Sequence, residues 1–135
     1  MDAETKSIVC LESLVLIDFI RKQNKRKSFF FQLGNTGVGF AVPVMVHYKI
    51  YSASLPVLQQ FWDNIFSDFF ILNHHVAINY TGIRSKNILK KKRKSISLPD
   101  LIIAATALHY DHPLVTLDTK DFIHINGQQL IHPII

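Results

Sequence analysis

The sequence is poor in the residues that cross-link, punctuate or anchor a chain. A single cysteine, Cys10, excludes an intrachain disulfide, which suits a reducing compartment. It reads as a small buried strand residue. Five glycines and five prolines are scattered singly, so no linker, low-complexity tract or internal repeat divides the chain. The expectation is one domain over residues 1–135, long enough for one core. Long apolar runs are also missing. The most apolar stretch near the start, Ile8 to Ile20, is broken by Glu12 and Asp18 and is too short to span a bilayer. It has neither a basic leader nor a small-residue cleavage site, so we expect no signal peptide, no membrane association and a cytoplasmic protein. Seven histidines lack metal-ligand spacing, which argues against zinc. Acidic residues are scarce, 10 against 15 basic, giving a net charge of +5 and a bias toward polyanionic partners.

What is present is core material. Hydrophobic residues make up 48% and charged residues 19%, the balance of a globular chain. Ten Phe, four Tyr and Trp62 are more aromatic bulk than one such core readily takes. The broad apolar stripe Leu58, Phe61, Trp62, Ile65 and Phe66 is therefore expected to mediate self-association or partner binding. Short apolar runs at Ser7–Leu11, Gly39–Val42, Phe69–Leu72, Leu114–Leu117 and Gln129–Ile131 read as strands. Between them, helices are expected from Ser13, as N-cap, to Lys22, and over Ser28–Leu33, Val44–Ser54 and Leu55–Asp68. Two more follow: His75–Lys92, with Val76, Ile83, Ile88 and Leu89 inward, and a mostly buried one from the Ser97-Leu98-Pro99 cap to His109. Strands alternating with helices predict an α/β fold: a three-layer α/β/α domain with a central, mostly parallel sheet.

In such sheets ligands bind beyond the carboxyl ends of the strands. Glu12 directly follows the first strand, Asp118 follows the fourth with Asp121 one turn later, and Asp100 opens a helix. Carboxylates gathered at one sheet edge repel each other and need a cation, and oxygen-only ligation selects Mg²⁺ or Mn²⁺. Two basic clusters, Arg21, Lys22, Lys25, Arg26, Lys27 and Lys90, Lys91, Lys92, Arg93, Lys94, hold ten of the 15 basic residues. They suit either solvated helix ends or phosphate contacts. Asp18 reads as a helix-surface ion-pair residue, Trp62 as core or interface, and His47 as facing away from Lys49.

Four segments carry a family resemblance. Ser97 to Ala107, reading Ser-Leu-Pro-Asp-Leu-Ile-Ile-Ala-Ala-Thr-Ala, is similar to the serine-x-x-Asp-Leu-Leu-Ile-Ala-Ala-x-Ala stretch of PIN-domain proteins of the VapC-like toxin ribonuclease type. Pro113 to Phe122 resembles that family's Leu-Val-Thr-x-Asn/Asp-x-x-Asp-Phe motif. Cys10 to Phe19 resembles its Leu-Asp-Thr-Asn-x-Leu-Ile-Asp-Phe start, and Pro43 to Ala53 its second acidic segment. The resemblance covers almost the whole chain. It implies a Mg²⁺-dependent endoribonuclease, the toxin half of a toxin–antitoxin pair, cutting RNA (plausibly tRNA) through metal-activated water. It also implies a small antitoxin partner and a homodimer. Glu12, Asp100, Asp118 and Asp121 are the catalytic candidates, with Glu12, Asp100 and Asp118 as metal ligands, and the ten clustered cations would bind RNA.

The chain departs from that pattern at three positions. Glu12 stands for an aspartate, Leu14 for a supporting asparagine, and Lys49 for the glutamate of the second segment. Glu12 keeps its charge. Lys49 puts an ammonium, a poor metal ligand, where a carboxylate is expected. Two readings stay open: a nuclease of reduced power, or a degenerate PIN domain that binds antitoxin or RNA without cutting.

Overall fold

A computed structural model describes residues 7–134. Five strands form one sheet: β1 (Ile8–Leu11), β2 (Gly39–Pro43), β3 (Phe70–Leu72), β4 (Leu114–Val115) and β5 (Leu130–Ile131), in the spatial order β3-β2-β1-β4-β5. Every pairing is parallel, with Cys10 opposite both Ala41 and Leu114. Six helices connect them: α1 (Ser13–Arg21), α2 (Phe29–Gly34), α3 (Val44–Ala53), α4 (Gln59–Phe66), α5 (Val76–Lys91) and α6 (Leu98–His109). Right-handed crossovers put α1 to α4 on one face and α5 with α6 on the other. α1 packs on α2 and α3, and α5 on α6, while α3 also touches α6. The expected three-layer α/β/α arrangement is therefore present.

β1 runs through the middle of the sheet, and its Val9, Cys10 and Leu11 are buried on both faces. After β3 the chain crosses to the other side of β1. The crevice between the carboxyl ends of β1 and β4 is thus a topological switch point, the usual place for a ligand. On the opposite face α6 lies close to the sheet because its buried residues include Ala104, Ala105 and Ala107. Gly82 of α5 faces Ala105, so small residues bring these two helices together.

Several expectations need correction. The buried face of α5 is Ile78, Gly82, Ser85 and Leu89, and Val76 and Ile83 are 63% and 54% exposed. Close approach to α6 needs small side chains, so the inward stripe is not the most hydrophobic one. Residues 55–68 are not one helix: Pro56–Leu58 form a 3-10 turn ahead of α4. The stripe of that segment is used internally, with Trp62 and Phe66 buried and Leu58, Phe61 and Ile65 packed against the core. Exposed large apolar side chains lie elsewhere, at Phe70 and Ile71 on the edge strand β3 and at Val76, Tyr80 and Ile83 along α5. β4 ends at Val115, although the Thr116 amide still donates to the Ile131 carbonyl (3.0 Å). The cap of α1 is Glu12, not Ser13, a change that bears directly on the chemistry. No helix among the described residues is long and apolar enough to cross a membrane.

Candidate functional site

Glu12 leaves the end of β1 with its backbone held in place, its amide donating to the Val115 carbonyl (3.0 Å). Its side chain then caps α1. Oε1 accepts from the Ser13 hydroxyl (3.0 Å) and the Leu14 amide (3.2 Å). An N-cap oxygen satisfies an amide that the helix leaves unpaired. Oε2 has a single long contact, from the Thr116 hydroxyl (3.4 Å). One carboxylate oxygen is thus committed to the fold and the other is available. The side chain is 3% exposed. Burial pushes its carboxyl above the ordinary range and Asp100 adds to this, against the Leu14 and Ser13 hydrogen bonds and Lys49, which lower it.

Asp100 sits in the first turn of α6, whose cap is the Ser97 hydroxyl accepting from the Asp100 amide (3.3 Å). Its carboxylate is therefore free of capping duty. Asp118 follows β4, and its amide donates to the Thr116 hydroxyl (3.0 Å). Asp121 ends the 3-10 turn Thr119–Asp121. Its carboxyl is raised by desolvation first, then by Asp118 and Asp100, with Lys120 opposing.

These segments meet in a cavity of about 320 Å³ lined by Glu12, Leu14, Lys49, Asp100, Asp121 and Phe122, with Ser13 and Ile17 completing the wall. Asp118 stands beside Asp121 at its margin. Three acidic candidates and Lys49 therefore share one pocket at the switch point. Lys49 lies on α3, beside the buried residues Val46 and Ile50. Among the described residues it has no carboxylate within ion-pair distance, the recorded pair being Lys22–Asp18 (3.4 Å). His47 turns away, against Tyr51 and Phe66.

The donor chemistry fits an oxygen-ligated divalent cation. Behind burial, Asp100 raises the proton affinity of Glu12, and Asp118 with Asp100 that of Asp121, so negative charge is concentrated here. The fit is incomplete. Among the described residues no three His, Cys, Asp or Glu side chains already stand in a ligating group, and Lys49 brings a positive charge to the same cavity.

The motif at Pro113 to Phe122 includes Thr116 without assigning it a role. This buried hydroxyl links the Asp118 amide to Glu12 Oε2 and so ties the ends of β4 and β1 together. A threonine closing an otherwise apolar strand was the available signal. The basic clusters are placed differently from each other. Arg21 to Lys27 follow the carboxyl end of α1, the end opposite Glu12, where the Lys25 ammonium donates to the Ile20 and Lys22 carbonyls (2.7 and 2.8 Å). Lys90 to Lys94 close α5, and the Lys92 ammonium reaches the His124 carbonyl (3.3 Å), two residues past Phe122 of the pocket.

The fold is shared with chains of solved VapBC complexes, and the carboxylates stand at its switch point. The chain resembles Ribonuclease VapC1 of Rickettsia felis, with 38% identity over 71 residues, 53% of either protein. It spans about half the length of the curated relatives it matches. Among solved structures, a chain of the VapBC2 complex of Rickettsia felis bound to a DNA fragment from its promoter superposes with a TM-score of 0.77 at 21% identity. That match covers 93% of this chain and 98% of the other. A chain of VapBC-1 from nontypeable Haemophilus influenzae gives 0.78 at 19% identity, covering 93% and 97%. No family profile matches the chain.

Proposed function

We propose that this protein is a toxin-type endoribonuclease that cuts RNA, plausibly tRNA, in the acidic pocket and is held in check by a small antitoxin protein. The observation that carries the reading is the meeting of Glu12, Asp100 and Asp121 in one cavity, with Asp118 at its margin. The relatives named ribonucleases and the neighbours solved as VapBC complexes support it. Glu12, Asp100 and Asp118 would hold Mg²⁺ or Mn²⁺, with Asp121 adjoining. Such a cation lowers the pKa of a water and offsets charge on the reacting phosphoryl group.

The chain's own residues supply the setting. Thr116 and Ser13 fix the Glu12 carboxylate so that Oε2 faces outward from the cap. Phe122 and Ile17 give the cavity apolar walls that limit competing water. Asp121, on the pocket lining beside Asp118, is the candidate proton carrier. A second copy of the chain belongs to the same reading, with the exposed Val76, Tyr80 and Ile83 of α5 as contact surface.

The test is cleavage of a mixed tRNA pool with Mg²⁺ or Mn²⁺. We expect slow cleavage that chelation and Asp100→Asn both abolish. Cleavage that survives Asp100→Asn would end the assignment of this pocket. A second reading rests on Lys49: a domain that binds antitoxin or RNA without cutting. Absence of cleavage in every variant, with binding retained, would favour it.

A further inference from the structure

α5 and α6 are antiparallel. The His75 ring meets His109 edge-on at one end (4.5 Å between centroids), and Gly82 meets Ala105 in the middle. The carboxyl end of α5 therefore lies beside the amino end of α6, which carries Asp100. At that corner the chain turns sharply. The Arg93 amide bonds to the Lys90 carbonyl and the Lys94 amide to the Leu89 carbonyl, with Arg93 itself at φ 59°. This left-handed closing turn is the position helices usually give to glycine, yet a cation occupies it. The turn folds Lys94, Ser95 and Ile96 back over the last turns of α5. A cavity of about 140 Å³ opens there, lined by Lys86, Leu89, Lys90, Lys94, Ser95 and Ile96. Its floor is apolar, formed by the buried Leu89 and half-buried Ile96, and its rim is three exposed ammonium groups.

Cations at a helix carboxyl end complement its macrodipole, and acidic residues three or four positions away relieve their crowding. Here no acidic residue occurs between Asp68 and Asp100, whereas Arg84, Lys86, Lys90, Lys91, Lys92, Arg93 and Lys94 all do. Lys86 and Lys90 are four residues apart on α5 and Lys94 follows its closing turn, so no carboxylate within this stretch relieves their repulsion. A chain that keeps an acid-free cationic rim around an apolar floor presents the two features a nucleotide needs: charge for phosphate and a flat greasy surface for a base. The acidic pocket lies close by, reached through Lys92, the His124 carbonyl and Phe122.

We propose that this corner is a subsite for one nucleotide of single-stranded RNA, outside the cleavage pocket. Lys86, Lys90 and Lys94 take its flanking phosphates, and Leu89 with Ile96 takes the face of its base. The cluster after α1 has no part in it. The subsite deepens the ribonuclease reading and rests on RNA being the ligand, but it does not require cleavage.

The test is fluorescence anisotropy with a labelled 12-nucleotide RNA in EDTA, where binding is read without metal. The triple variant Lys86→Gln, Lys90→Gln, Lys94→Gln is expected to lose at least about tenfold in affinity. The slope of log affinity against log salt should fall by about 2, since each single-strand phosphate contact contributes roughly 0.7. A charge-matched control, Lys22→Gln, Arg26→Gln, Lys27→Gln, should lose less than about threefold. Ile96→Ser should weaken binding of the normal RNA and leave an abasic strand of the same length unaffected. Equal losses in the two triple variants would reduce the corner to general charge attraction and overturn the subsite. An Ile96→Ser effect of the same size on the abasic strand would do so too, as would duplex RNA binding as tightly as single-stranded RNA. Lys86-dependent binding by a protein that cleaves nothing would sink the nuclease reading and leave the subsite standing.

Discussion

Replacing Lys49 by glutamate reverses one charge on the wall of the acidic cavity, and its effect can be sized from the structure. Lys49 shares the cavity with Glu12, Asp100 and Asp121 but has no ion pair within 4.0 Å among the described residues. With a divalent cation about 6 Å from the ammonium, beyond contact distance, and an effective dielectric of about 40 for a half-open cavity, the two interact by roughly 3 kcal/mol. Reversal doubles this to about 6 kcal/mol before salt and relaxation reduce it. Even a quarter of that, about 1.4 kcal/mol, is tenfold in affinity. Titration calorimetry with Mn²⁺ on the natural chain, Lys49→Gln and Lys49→Glu should give a graded series, each step at least about threefold tighter. RNA cleavage should rise in the same order and vanish when Asp100→Asn is added. If Lys49→Glu binds Mn²⁺ no better than the natural chain, the electrostatic reasoning is wrong. If the natural chain cleaves briskly and the substitution slows it, Lys49 serves the chemistry.

Three further outcomes follow from particular contacts. Glu12 has its carboxyl raised by burial, so the folded state binds its proton more tightly than the unfolded chain, and stability falls as pH rises from about 4.5 through the raised value. Glu12→Gln should therefore unfold at higher denaturant than the natural chain at pH 8, with the gain gone below about pH 4.5; no gain at pH 8 would show that the Thr116 and Ser13 hydrogen bonds outweigh burial. Gly82→Ala puts a methyl at 3.7 Å from the Ala105 Cβ, ordinary contact in a helix of normal backbone, and should add about 0.5–1 kcal/mol, read as a melting rise of a few degrees. Arg93→Gly relieves the left-handed backbone at φ 59° and should stabilise by roughly 0.5–1 kcal/mol while weakening RNA binding in low salt; a loss of stability instead would mean that the arginine side chain holds the turn.

Much of the fold was legible because its signals are local. Four-residue apolar runs, the Ser97 cap and Pro43 at the start of α3 placed the elements to within a few residues. The buried face of α5 was not, because Gly82 and Ser85 face inward to let two helices approach, and hydrophobicity alone favours Val76 and Ile83. At the site, the acidic positions could be picked out from strand ends and motif spacing. The division of Glu12 between capping and an open oxygen could not, since it depends on which of two adjacent residues, Glu12 or Ser13, closes the helix. The difference between the two lysine-rich clusters was equally hidden. It follows from the antiparallel return of α6, not from their composition.

The strand order carries a consequence for how the protein comes into being. β1 and α1 precede β4, the strand that completes their acidic crevice, by about a hundred residues of chain. Until that strand pairs, Glu12 caps a helix and nothing more, because Asp100, Asp118 and Asp121 have not been drawn in. Contacts of such long sequence separation form late in folding. Any partner that recognises the finished crevice can therefore act only on a chain in which β4 has already paired with β1.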